Sequence, residues 1–231
     1  MTRAKVLKEY GKALAGAECF IAASKNMEQE FKERYHCKRA KAVRLGFPVE
    51  EPMQVERDEK SFIIALAGQV YATAEFTALV QALEKLDWHW GGKEIFLDLY
   101  VQSLPYMEGL KSPLDRHVRK KGWRVQRELL YELSKADLLY CPYWFDAEHA
   151  LISHTSFPSK LCTYLSIARP VAVHAPVYAS TYQFAKEQNA AYCLDTLDVD
   201  LLTEEIKAII DDPNREQMGR NAYQAFRENL T

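Results

Sequence analysis

The sequence predicts an α/β protein, a Rossmann-like parallel sheet with helices on both faces. Three observations predict it. Continuous apolar runs such as "SFIIALAG" and "DLLYCPYW" have the composition of strands buried on both sides. Segments with apolar residues three and four positions apart separate these runs. Glycine or proline stands where the runs stop, at Gly68 and Pro142. Strands that alternate with helices at this spacing build parallel sheets, because each crossover returns the chain to the same end of the sheet.

The elements follow in chain order. Residues 3–16 carry Val6, Leu7, Tyr10 and Leu14 at helical spacing. "CFIAAS" (19–24) predicts a buried strand ending in a cap residue, and Ser24 starts the helix "SKNMEQEFKERY". "AKAVRLGFPVEEP" (40–52) predicts a short strand and then a glycine and proline turn, and the charged residues 50–60 predict a linker. The chain thus divides into 1–55 and 56–231. In the second part "SFIIALAG" is a strand, a helix over 74–86 shows Phe76, Leu79, Val80 and Leu83 on one face, and "EIFLDLYV" (94–101) is the next strand. Residues 102–113, with Pro105, Gly109 and Pro113, predict a loop, and the basic run "RHVRKKGWR" (116–124) predicts a solvated one. A helix over 126–136 and a strand over 137–144, ending at Pro142, come next. A long loop leads to a helix opened by Pro158 and to the strand "PVAVHA" (170–175). Helices over 179–187, 200–211 and 214–229 complete the chain, with a short strand over 190–194. No internal repeat or low-complexity segment interrupts the order.

Composition excludes several classes of function. The 231 residues are 48% hydrophobic and 27% charged, as in a soluble globular protein. A formal net charge of -2 leaves no footprint for nucleic acid. Cys19, Cys37, Cys141, Cys162 and Cys193 are scattered and show no CxxC spacing, so neither a disulfide framework nor a zinc site follows. Free thiols, the lack of an apolar leader after Met1 and the lack of any run near the ~20 residues of a membrane span predict a cytoplasmic protein, with peripheral contact at the inner membrane left open.

In open α/β sheets, ligands bind beyond the carboxyl ends of the strands. Gly68, Pro142 and the loop 154–160 share that rim. There the stretch "HTSFPSKLCTYLSIARPVAVHAP" places Pro158, Ser159 and Lys160 at a helix start. Proline suits the first turn, where its missing N–H costs nothing. Free N–H groups and the helix dipole favour an anion there, Lys160 adds a charge, and Ser159 and Thr163 add hydroxyls one turn apart. An ordinary helix start with a solvated lysine is the competing reading. His149, His154 and His174 lie near the rim, without the spacing of a catalytic triad or a metal site. Catalytic residues stay unassigned.

The residues around this stretch carry a resemblance. "ADLLYCPYWFDAEH…SFPSKLCTYLSIARPVAVHAP" resembles the donor-half signature of GT-B glycosyltransferases, closest to bacterial, family-4-like enzymes of the FPSK type that act on surface polysaccharides. "CFIAASKNMEQEFKERY", "LGFPVE", "FIIALAGQVY" and "IIDDPNREQMGRNAYQAF" are similar to further pieces of the same family, so the likeness runs over nearly the whole chain. It implies the C-terminal domain of a GT-B fold over 56–231, preceded over 1–55 by an α/β remnant of the acceptor-side domain. The implied function is transfer of a sugar from a nucleotide-diphosphate donor, UDP- or GDP-linked, to a glycan or lipid-linked acceptor, with retention of configuration and no metal or other cofactor. The diphosphate would lie against Gly68, Gln69, Pro158, Ser159 and Lys160, the ribose at Thr163 and Tyr164, and the base at Gly122, Trp123 and Arg124. Trp123 could stack on the base, but the stronger expectation for it is a place in the hydrophobic core.

Two departures from the family pattern stand out. A pair of glutamates eight apart is replaced by Thr155 and Thr163, and a basic pair after the glycine is replaced by Gln69 and Ala74. These losses give weight to a second reading, a non-catalytic pseudo-glycosyltransferase scaffold. A third is a sugar-nucleotide epimerase of similar design, for which the rim 142–160 offers only Asp146 and Glu148. The missing acceptor-side domain, or another chain, is the expected partner. Unpaired apolar strands in 1–50 would favour self-association.

Overall fold

The computed structural model describes residues 3–37, 39–48, 50–103 and 116–230. Most of the predicted loop 102–113 lies outside the described residues.

The chain first forms a small unit. Helix α1 (Arg3–Gly16), strand β1 (Phe20–Ala22), helix α2 (Lys25–Tyr35) and strand β2 (Ala40–Ala42) make a two-stranded parallel sheet with two helices. Phe20, Phe31, Tyr10 and Tyr35 pack as an aromatic cluster beneath it. Ser24 caps α2 by accepting from Met27 N, as its place before the helix predicts.

The main sheet begins with β3 (Ser61–Ala67) and continues through β4 (His89–Trp90), β5 (Lys93–Tyr100), β6 (Val118–Lys120), β7 (Leu138–Pro142), β8 (Val171–His174) and β9 (Tyr192–Leu194). Its order is β6, β5, β3, β7, β8, β9, and all these pairings are parallel. Strand β4 pairs antiparallel with the start of β5. Helices α3 (Thr73–Lys85), α4 (Gln126–Ser134), α5 (Ala150–Thr155), α6 (Ser159–Leu165), α7 (Ser180–Glu187), α8 (Val199–Asp211) and α9 (Arg215–Asn229) complete the chain.

The side-chain period of two on β3 divides the core into two layers. Phe62, Ile64 and Leu66 join α3 and α8 on one face. Ala65 and Ala67 join α4, α6, α7 and α9 on the other, their small side chains admitting the larger rings of Tyr164 and Tyr100. The sheet is therefore buried on both sides, which is why its strands are continuously apolar. The order of connections reverses between β3 and β7, so the crevice at their carboxyl ends is the topological switch point.

Three expectations need correction. "RHVRKKGWR" is more than a solvated loop: Val118 is buried in β6, and Arg119 makes two bonds to the carboxylate of Asp98, at 2.5 and 2.9 Å. A three-residue edge strand with two basic residues has no apolar alternation to reveal it. The loop after Pro142 contains a 3-10 turn (Ala147–His149) and the six-residue α5, held by Ser153 Oγ donating to Trp144 O at 2.7 Å. Pro158 is the residue before α6 rather than within its first turn, with extended backbone at φ −74° and ψ 141°.

Among the described residues no helix is long and apolar enough to cross a membrane. The five cysteines are free thiols.

Candidate functional site at the sheet switch point

Three of the expected diphosphate residues meet in the crevice. β3 ends in Gly68, which turns at φ +84°, a conformation that favours glycine, and gives its N–H to Tyr100 O at 3.1 Å. Lys160 crosses from α6 and donates to Gln69 O at 3.1 Å. Its Cε lies 3.9 Å from where a Cβ on Gly68 would stand, so the glycine leaves room for the lysine stem. The ammonium also sits 4.5 Å over the ring of Tyr71. Burial pushes Lys160 below the usual ammonium value, and the Cys141 thiol beneath it is pushed by burial up to about 12. Such a half-buried cation gains most by meeting an anion. Ser159 is exposed, and no side chain caps α6.

The expected ribose residues behave differently. Tyr164 is fully buried, which corrects the expectation that it faces a ligand. Its hydroxyl accepts from Ala67 N at 2.7 Å and satisfies the end of β3 inside the core. Thr163 Oγ1 donates back to Ser159 O at 3.2 Å. Thr155 Oγ1 does the same to Leu151 O at 2.7 Å. Both hydroxyls thus spend their proton on their own helix.

The expected base residues follow β6, on the same rim but two strands from Gly68. Gly122 turns at φ +72°, Arg124 Nη1 donates to Trp123 O at 3.0 Å, and Trp123 is 65% exposed. Trp123 is therefore not a core tryptophan, which corrects that expectation. Ala74, in the first turn of α3, is exposed.

A polar cluster lies under the rim. Glu75, 1% exposed, accepts from Phe145 N at 2.8 Å through Oε1, and its Oε2 is buried without a partner. Burial first, with help from Asp146, raises its carboxyl above the usual value. The Tyr140 hydroxyl lies 3.0 Å from Glu75 O and 2.6 Å from His174 Nδ1, and His174 Nε2 lies 2.6 Å from Thr196 O. Its signs in the sequence were His174 near the rim and an acidic residue on the apolar face of α3. Among the described residues no three His, Cys, Asp or Glu converge as a metal site would require.

No family profile and no curated protein matches the chain. Solved structures match its fold. S. aureus TarM, crystallised with fondaparinux, alpha-GlcNAc-glycerol and UDP, aligns over 98% of this chain at 11% identity and a TM-score of 0.72. WaaG, described as a glycosyltransferase involved in lipopolysaccharide biosynthesis, aligns over 98% at 14% identity and 0.70. Anabaena HepE, in complex with UDP and glucose, aligns over 100% at 14% identity and 0.72. The chain spans only 44% of the TarM chain and 64% of each of the other two. Identities this low show a shared fold. The fold is the mixed α/β architecture of GT-B glycosyltransferases.

Proposed function

We propose that the chain is the donor-binding half of a glycosyltransferase. Residues 56–231 hold a nucleoside diphosphate sugar, and residues 1–55 correspond to the end of an acceptor-side domain. The observation that carries the reading is the Lys160 ammonium, held at the switch point over the Gly68–Gln69 turn. A ligand diphosphate there meets a half-buried cation beside the Gly68 turn. When the sugar leaves, charge develops on that diphosphate, and Lys160 stabilises it. The expected donor carries UDP or GDP and the expected acceptor is a glycan or a lipid-linked sugar. UDP is favoured because TarM and HepE were crystallised with it.

The test is thermal stability of the chain against UDP, GDP, ADP and their sugars. A ligand that binds only the folded state raises the melting temperature. One nucleotide is expected to do so, and Lys160→Ala to lose most of the rise, with at least tenfold weaker binding because a charged partner is removed. An unchanged rise in the variant overturns the assignment of Lys160.

A second reading, a scaffold without turnover, is favoured by Thr155 and Thr163, whose hydroxyls face their own helices, and by Ala74 where a basic residue is expected. Sugar transfer after addition of an acceptor-side domain would remove it.

A further inference from the structure

A column of rings lines one side of the crevice. Lys160 stands over Tyr71. Tyr71 packs on Trp144, with centroids 4.5 Å apart. Trp144 stacks on His149 at 4.6 Å and 9°. Trp144 Nε1 donates to Tyr71 O at 3.1 Å, which ties the two loops flanking the switch point together.

The far end of the column is as firmly held. Asp146 lies 2.8 and 3.0 Å from His149 Nδ1 and also accepts the His149 backbone N–H at 3.0 Å. Glu75 fixes the same loop from below through Phe145 N. In the neutral imidazole, a carboxylate on Nδ1 selects the tautomer with its proton there, and Nε2 is then a lone-pair acceptor. No described residue bonds Nε2, and the His149 side chain is 34% exposed. The imidazole is thus held by a stacked ring, a carboxylate and a pinned backbone, with one acceptor left open.

The two ends of the column differ in kind. Lys160 offers a cation. His149 offers an acceptor beside a carboxylate, which repels phosphate and suits a neutral hydroxyl donor. A nucleotide sugar has the same polarity, an anionic diphosphate joined to a ring of hydroxyls. We propose that His149, set by Asp146 and Trp144, accepts a hydrogen bond from a hydroxyl of the donor's transferred sugar and so selects that sugar. This rests on the donor-site reading above.

Calorimetry of the intact chain with UDP, UDP-glucose and UDP-N-acetylglucosamine tests it, with the GDP series run in parallel. The wild-type chain is expected to bind one sugar nucleotide more tightly than the bare nucleoside diphosphate. His149→Ala is expected to weaken the sugar nucleotide about tenfold, the effect of one hydrogen bond in a preorganised site, and to leave the bare diphosphate within about twofold. His149→Gln, whose amide oxygen can accept in its place, retains most of the preference. Equal weakening of both ligands overturns the proposal, because His149 then only supports the loop. Unchanged binding of both overturns it as well, because the sugar then lies elsewhere. Lys160→Ala separates the two readings, since it weakens both ligands. If no nucleotide binds the wild-type chain, both readings fall together.

Discussion

Lys160 and Tyr164 sit one helical turn apart on α6, and the fold gives them opposite roles. Lys160 reaches over the Gly68 turn to solvent, while Tyr164 points into the sheet and closes the end of β3. Their spacing shows that they share a side of the helix and not which of them is covered. His174 is the clearest case of a residue whose behaviour the fold sets. It is fully buried, and burial pushes it down to about 4 against the opposing pull of Thr196 O. Folded His174 is therefore neutral, whereas in the unfolded chain an imidazole titrates near 6.5. Below about pH 6.5 the unfolded chain takes up a proton that the folded chain refuses. Stability from this group is complete above that pH and falls as pH drops toward 4, by roughly 3 kcal/mol in all. The raised Glu75 carboxyl acts with the opposite sign. Urea unfolding of the wild type and of His174→Gln at pH 7 and pH 4.5 separates them: the wild type is expected to lose more stability on acidification than the variant.

Among the elements, those with long apolar faces were legible. Strands β3, β5, β7 and β8 and helices α3, α8 and α9 match their predicted spans to within about two residues. Strand β6 and helix α5 were not, because each is short and held by partners distant in sequence: Asp98 for β6 and α2 for α5. Helix α9 shows how such distant contacts constrain a residue. Gly219 packs against the turn before β8 so closely that a Cβ would lie 2.5 Å from Ala168 O. Alanine is the better helix former by about 1 kcal/mol, so propensity alone predicts that Gly219→Ala stabilises. The contact is with backbone, which cannot rotate away, and the expected result is a net loss of about 1–3 kcal/mol. Thermal unfolding of Gly219→Ala checks this; a raised melting temperature would mean that α9 shifts freely.

For the whole molecule, the segment between the two sheets is a strap rather than a free tether. Arg57 donates to Asp137 at 3.2 Å and to Glu216 at 2.5 Å, and Asp137 in turn accepts from Ile63 N at 2.9 Å. Tyr223 donates to Glu50 O, and Phe47 N donates to Leu230 O. The small unit also docks on the main sheet's helices, with Ser24 donating to Thr155 O and Asn26 to Gln183. Loss of Arg57 removes the ion pair to the buried Asp137. Arg57→Ala is expected to cost about 2 kcal/mol and to lower the melting temperature by roughly 5 °C. Faster proteolysis within 43–60 is expected alongside. Unchanged proteolysis would show that the other bonds suffice to hold the strap.

The sequence alone determined the α/β class, the main strands and helices, and the rim where Gly68, Gln69 and Lys160 meet. These follow from local quantities: periodicity of burial, turn chemistry at strand ends, and a motif contiguous in the chain. Tertiary structure decided the rest. It buried Tyr164, exposed Trp123, turned the hydroxyls of Thr155 and Thr163 onto their own helices, and joined Tyr71, Trp144 and His149 into one column. The reason is that burial and stacking depend on which segments become neighbours across the sheet, and residues 71 and 144 become neighbours only when β3 and β7 pair.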